Sequence, residues 1–413
     1  MNIRSPRTAL AAVTAVLLSL SLAACGSADS GADDAATGGG GDVTIEVWDY
    51  LGQGVSNTAM ESAVAAFEDA NPDITVKRTS FAFADLSKSI VQGGVGGQVP
   101  DVAVVDVVDT QNFAALGLLQ DVTDSLGDSA EEFFDGPWQS TQLDGKTWGR
   151  PLNSNNLALY YNKAMFAEAG VQAPTTWDEL RTVAKATTND QHTGIVMSAV
   201  KNEQGTFQYL PFLWQTGGDL DTFATDGAES LGYLKSLVDD GSMSSAVANY
   251  SQEDARTQFV TDKAAMMING PWELQNLADA GVDFGVAALP AGAEAATGLG
   301  GENVVTFAQA QQPEAAQKFL EFLTGAEGAK IYCDESGQLS SRVDLQGQLA
   351  LSDDANMQVF EKQLDVAHAR AYGGEYPELS AAVQEALQQV ITGAQTPDAA
   401  AEAAAQKIDE LLG

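Results

Sequence analysis

The 413-residue chain carries 57 Asp+Glu against 20 Lys+Arg, a formal net charge of −37. A field of that sign repels nucleic acid and anionic head groups and argues against an anionic ligand. Its only cysteines are Cys25 and Cys333 and its only histidines His192 and His368, so neither a disulfide framework nor a Cys/His metal cluster or HExxH helix has residues to stand on, and no metal or other cofactor is expected.

The chain opens on an export signal. Arg4 and Arg7 form a positive n-region, residues 9–24 are apolar but too few for a comfortable membrane span, and Leu22-Ala23-Ala24-Cys25 sets small residues before a cysteine. That tetrapeptide resembles the bacterial lipobox, whose cysteine is diacylated and becomes the mature N-terminus. The resemblance implies a lipoprotein held at the extracytoplasmic face of the bacterial cell membrane by palmitate-type acyl chains at Cys25, with no other membrane anchor. Residues 1–24 thus read as signal peptide. Residues 25–41, rich in Gly, Ala, Ser, Thr and Asp with no large apolar side chain, cannot bury enough surface to offset ordering entropy and read as a flexible tether.

The roughly 370 residues that follow are too many for one ordinary core and suggest two lobes. Val43, Ile45 and Val47 alternate into a first strand ending at Trp48-Asp49-Tyr50; Met60, Val64 and Phe67 fall at helical spacing until Asn71-Pro72. Strand 74–78, a short helix marked by Leu86 and Ile90, and a glycine loop at 93–97 come next. That loop follows a helix and precedes a strand, the reverse of a phosphate loop, and reads as a turn. Pro100-Asp101 opens an apolar strand at 102–105 of the kind buried on both faces of a parallel sheet. Asp144-Gly145 is a hairpin turn, 157–161 an extended strand, and Thr176 the cap of a helix carrying Leu180, Val183 and Ala184. After an aromatic run at 207–214 and a helix with Leu231, Leu234 and Leu237, strand 264–268 ends at Asn269-Gly270-Pro271-Trp272. This places Trp272 on the first turn of a helix just past a strand end. Strands at 284–288 and 304–307 flank Gly298 to Gly301. Helices close the chain at 313–323, 326–333, 379–391 and 398–412, and Cys333 lies in the second of these as an inert, half-buried thiol. The alternation is that of α/β construction.

In order along the chain, Phe67-Glu68 through Asn71-Pro72, Pro100-Asp101-Val102, Phe113-Ala114-Ala115-Leu116-Gly117-Leu118-Leu119, Leu159-Tyr160-Tyr161-Asn162-Lys163, Thr176-Trp177-Asp178-Glu179-Leu180, Asn269-Gly270-Pro271-Trp272 and Tyr376-Pro377 resemble the extracellular solute-binding proteins of carbohydrate ABC importers, the family that includes maltose-binding protein. The resemblance implies a two-lobe, periplasmic-binding-protein-like α/β fold with discontinuous lobes, 42–155 plus 286–324 and 156–285 plus 325–413. The chain would cross near 155–160, 285–289 and 324–328, and the ligand would sit in the cleft between lobes. It further implies a receptor, not an enzyme, that works as a monomer and delivers a neutral mono- or oligosaccharide, an α-glucoside such as maltose or trehalose being favoured, to ABC permease subunits. A lipid-anchored carbohydrate-active enzyme such as a glycosidase is the rival reading, because 57 acids leave room for a catalytic pair.

A sugar site needs flat apolar faces for the ring C–H groups and planar polar groups for adjacent hydroxyls. Asp106, just past a buried strand, is a carboxylate costly to bury idly and a candidate hydroxyl acceptor. Gln53, with Asp49 and Tyr50, follows the first strand and should line the same rim, while Trp48 reads as core. By resemblance Trp272 and Phe207 stack on sugar, Asn155 takes the place of an acidic ligand residue, and Glu302 stands where many relatives carry Trp. Arg342 would fork onto two hydroxyls, and Tyr372 would add an edge. Gln53, Asp106 and Glu302 would then face Phe207, Trp272 and Arg342 across the cleft.

Overall fold

The computed structural model describes residues 43–413; Cys25, the export signal and the tether lie outside the described residues. Two sheets organise it. The first runs in the order Ile74–Ser80, Val43–Asp49, Val102–Asp106, Glu302–Thr306, Arg150–Pro151. Its first three strands are parallel, and Glu302–Thr306 returns antiparallel with Glu302 opposite Asp106. The second sheet orders Phe284–Ala287, Ala158–Asn162, Ala264–Asn269 and Thr193–Val196. The alternating residues Ile45 and Val47 are fully buried, as is the whole of 102–105, which is covered on both faces by helices.

Each sheet has its own core. Helix Gly54–Ala70 lays Met60, Ala63 and Phe67 against helices Pro313–Thr324 and Ala326–Ser336, with Phe67 edge-on to Phe319 at 5.0 Å. Helices Trp177–Ala186, Glu203–Trp214, Ala228–Asp239, Tyr376–Ile391 and Pro397–Leu412 build the larger second core. Thr176 caps the first of these five by accepting from the Glu179 N–H at 3.3 Å. The glycine stretch expected as a loop continues helix Phe83–Gly96, and only Gly97 turns left-handed, at φ 64°.

The chain passes from the first sheet to the second between Arg150–Pro151 and Ala158–Asn162, and returns between Phe284–Ala287 and Glu302–Thr306. The third passage differs from the one expected near 324–328. Helix Ala326–Ser336 stays with the first lobe, because its apolar face buries Tyr332 and Cys333 in the first core. Beyond it Leu339 touches the second core, Leu349 packs back on the first, and from Leu351 onward the apolar residues join the second. Cys333 is 2 % exposed, and burial pushes its thiol pKa well up, away from reactivity. Short ladders tie the crossings together: Asn153–Ser154 with Leu339–Ser340, Thr297–Leu299 with Ala367–Ala369, and a bridge between Asn155 and Gly300.

Candidate functional site

Between the two sheets lies a cleft of about 830 Å³, walled by both lobes. Of the eight side chains expected to bind, Gln53, Asp106, Asn155, Phe207, Trp272 and Glu302 line it; Arg342 and Tyr372 do not.

The first lobe supplies strand ends and one helix start. Gln53 is exposed where helix Gly54–Ala70 begins. Asp106 ends the buried strand Val102–Asp106, its Oδ1 accepting from the Val108 N–H at 3.1 Å. Glu302 sits opposite it, only 5 % exposed, and accepts from the Tyr50 hydroxyl at 2.8 Å. Burial raises the Glu302 carboxyl to about 7, with Tyr50 and Asn153 pulling it back and the charge of Asp106 adding to the rise. Behind Asp106, burial and then the same charge push Asp109 up to about 8.

From the second lobe, Pro271 and Trp272 follow the buried strand Ala264–Asn269, and Trp272 caps helix Glu273–Asp279. The half-buried indole packs against Gly270, where a Cβ would meet its ring at 2.0 Å. Glu273 beside it is buried and paired with Arg256 at 3.2 Å; burial brings its carboxyl to about 7 despite that guanidinium. Phe207 is 6 % exposed on helix Glu203–Trp214. Its ring packs so closely on Gly298 and Gly300 that a Cβ at either would come within 2.9 Å, and Gly300 also leaves room for the Asn155 carbonyl oxygen. Asn155, 5 % exposed, exchanges both backbone hydrogen bonds with Gly300 at the crossing.

One face of Phe207 is taken by a residue the sequence did not single out. The Arg370 guanidinium stacks 4.3 Å over the ring, and its side chain is 1 % exposed. It donates to Asp106 of the first lobe at 3.2 Å and to Glu203 of the second at 2.5 Å. Glu203 also accepts from the Tyr376 and Ser380 hydroxyls at 2.5 and 2.6 Å. Burial raises the Glu203 pKa against the pull of Arg370. Burial opposes the charge on Arg370 in turn, and the fields of Asp106, Tyr376 and Glu203 more than offset it. Glu203 was discoverable, since it lies one helical turn before Phe207 on the same face. For Arg370 the sequence offers only its nearness to Tyr372.

Arg342 belongs to the first lobe, not the second. It forks onto Asp344 at 2.9 and 3.0 Å, donates to Glu132 at 2.8 Å and lies over Phe133 at 5.3 Å, so its donors are spent within that lobe. It was expected across the cleft because the third crossing was expected too early. The Tyr372 hydroxyl donates to Asp219 at 2.5 Å and accepts from the Trp214 indole at 3.3 Å, and its ring stacks on Tyr376 away from the cleft. Among the described residues no group of three His, Cys, Asp or Glu could hold a metal ion, and no helix is long and apolar enough to cross a membrane.

The cleft can therefore offer one indole face, several buried acceptors and the amides of Gln53 and Asn155 to a compact polar ligand. Comparison with known proteins points the same way. Residues 52–330 match the model of the bacterial extracellular solute-binding proteins. A maltooligosaccharide ABC transporter solute-binding lipoprotein of Streptococcus pneumoniae is 29% identical, over 83% of this chain and 82% of its own. An ABC transporter solute-binding protein from Thermotoga lettingae, solved with α-D-tagatose, superposes with a TM-score of 0.83 at 27% identity, over 90% of this chain and 100% of that one. The GacH receptor of Streptomyces glaucescens, solved unliganded and with acarbose, gives a TM-score of 0.81 at 25% identity, over 90% of this chain and 98% of the receptor. With its own residues 52–330 covered by the family model and the two-lobe architecture shared along nearly all of the chain, the protein belongs to the bacterial extracellular solute-binding protein family.

Proposed function

We propose that the protein captures a small oligosaccharide in the cleft between its lobes and hands it, chemically unaltered, to the permease subunits of an ABC importer. It does so as a monomer tethered by lipid on Cys25 at the extracytoplasmic face of the membrane. The observation that carries this reading is the meeting of Trp272 from the second lobe with Gln53 and Asp106 from the first in one space of about 830 Å³. Small-molecule sites span roughly 300–1,000 Å³ and combine an apolar platform with a few placed polar groups. The relatives support a sugar: one is a maltooligosaccharide transporter lipoprotein, and two are solved with tagatose and acarbose. Because contacts come from both lobes, a ligand gains all of them only when the lobes close on it, and the chain's crossings are where such a rotation pivots.

The test is a thermal-shift screen of the purified protein against a sugar panel that begins with maltose and trehalose. A sugar at a hundred times its Kd stabilises the native state by about 2.7 kcal/mol, and recovery of that sugar intact separates a receptor from a glycosidase. A panel in which no sugar raises the melting temperature refutes the reading.

A further inference from the structure

We infer that the sugar this cleft is built to take carries a protonated amine, held at the cleft floor against Glu302 and Asp106. The inference rests on the receptor reading above and names the chemical class of its ligand.

Five carboxylates and two guanidiniums are the charged side chains that line the cleft. Neither guanidinium is free: Arg256 is paired with Glu273 on one wall, and Arg370 is divided between Asp106 and Glu203 on the floor. Glu302 has no cation of its own. Only its Oε1 has a well-placed donor, the Tyr50 hydroxyl. Its Oε2 is buried without a hydrogen bond of good geometry; the amide of neighbouring Asn153, close enough to pull the carboxyl's pKa down, is not placed to satisfy it. A carboxylate oxygen left so in a residue 95 % removed from solvent is costly, and the cost is met when a donor enters the cleft.

A sugar hydroxyl satisfies the hydrogen bond but leaves the charge. An ammonium does both, presenting several N–H donors and offsetting the surplus that Glu302 and Asp106 share as strand neighbours. The same surplus is visible in the carboxyls themselves, since burial and the field of Asp106 hold Glu302 near 7 and Asp109 near 8. A cation draws Glu302 into its ionised form. Hydrogen bonds in which one partner is charged are roughly twice as strong as neutral ones, which sets the direction of the expected preference.

The experiment is titration calorimetry at pH 7 on matched pairs that differ by one substituent per ring: glucose and glucosamine, galactose and galactosamine, cellobiose and the β-1,4-linked disaccharide of glucosamine. In any pair that binds, the amine-bearing member is expected to bind at least fivefold tighter, and Glu302→Gln, which keeps the shape and the Tyr50 hydrogen bond, is expected to remove most of that margin. Three results overturn the inference: neutral members binding as tightly as their amines, no amine-bearing sugar binding at all, or a margin unchanged in Glu302→Gln, which would assign it to the field of the whole chain. Binding by neutral members alone ends this inference and leaves the receptor reading standing; silence from every sugar ends both.

Discussion

Replacing Arg370 by Met isolates the cleft-floor charge network, because Met fills much of the same volume without the guanidinium. The side chain is 1 % exposed and serves Asp106, Glu203 and the face of Phe207 at once. Its loss strands two carboxylates whose side chains are only 13 % and 17 % exposed. Breaking a buried pair from one side costs about 3–5 kcal/mol, since the remaining charge is left without compensation. That cost depends on pH with a definite sign. Burial already raises the Glu203 pKa against the pull of Arg370, so removing that pull raises it further. A carboxyl whose pKa is higher folded than unfolded destabilises the fold increasingly as pH climbs from the unfolded value through the folded one. Urea unfolding followed by tryptophan fluorescence should therefore show a loss of about 3–5 kcal/mol at pH 8 that shrinks at pH 5 to the stacking and packing remainder, about 1–2 kcal/mol. An equal loss at the two pH values would refute the electrostatic account and reduce Arg370 to a packing residue.

Gly270→Ala should cost sugar affinity at least tenfold, about 1.4 kcal/mol, because its Cβ would occupy the place of the Trp272 ring; calorimetry beside Trp272→Ala checks that the two losses agree. Glu302→Gln should leave stability near pH 4 unchanged and raise it by up to about 3 kcal/mol at pH 8, since the penalty of ionising a carboxyl held at about 7 is removed. Melting temperatures across pH 4–8 follow it, and a stabilisation that fails to grow with pH argues against a buried charge. Arg342→Ala should lower stability by about 1–2 kcal/mol, chiefly through its lost packing on Phe133 and its bond to the Thr324 carbonyl, since the Glu132 and Asp344 carboxylates it pairs with are half-exposed and screened, while sugar affinity stays within twofold; a tenfold affinity loss in calorimetry would return Arg342 to the cleft.

The parts of the fold legible in the sequence are those that local patterning dictates. Alternation at Val43, Ile45 and Val47, the apolar run at 102–105 and the Thr176 cap are all realised, because each is settled by residues within one turn or one strand. The misplaced third crossing is of another kind. Nothing local in Ala326–Ser336 says which core its apolar face will meet, and both cores were available until Tyr332 packed behind helix Gly54–Ala70. The error carried Arg342 with it. The site divides in the same way: Asp106 and Trp272 stand at strand ends that patterning locates, whereas Arg370 acquires its place only when a short ladder far along the chain sets Ala369 beside Leu299.

That ladder also bears on how the lobes can move. Arg370 follows Ala369, whose partner Leu299 immediately precedes the Gly300–Asn155 bridge, so the guanidinium sits beside two of the chain's passages between lobes. A rotation about those passages displaces atoms least where Arg370 meets Asp106 and most at the outer rim, where Gln53 and Trp272 stand on opposite walls. The buried ion pair can therefore persist while the mouth opens and shuts, and its desolvation cost need not be met again in each cycle. The rim residues, Gln53 exposed and Trp272 half-buried, stand outside that network and are then the ones free to exchange water for ligand.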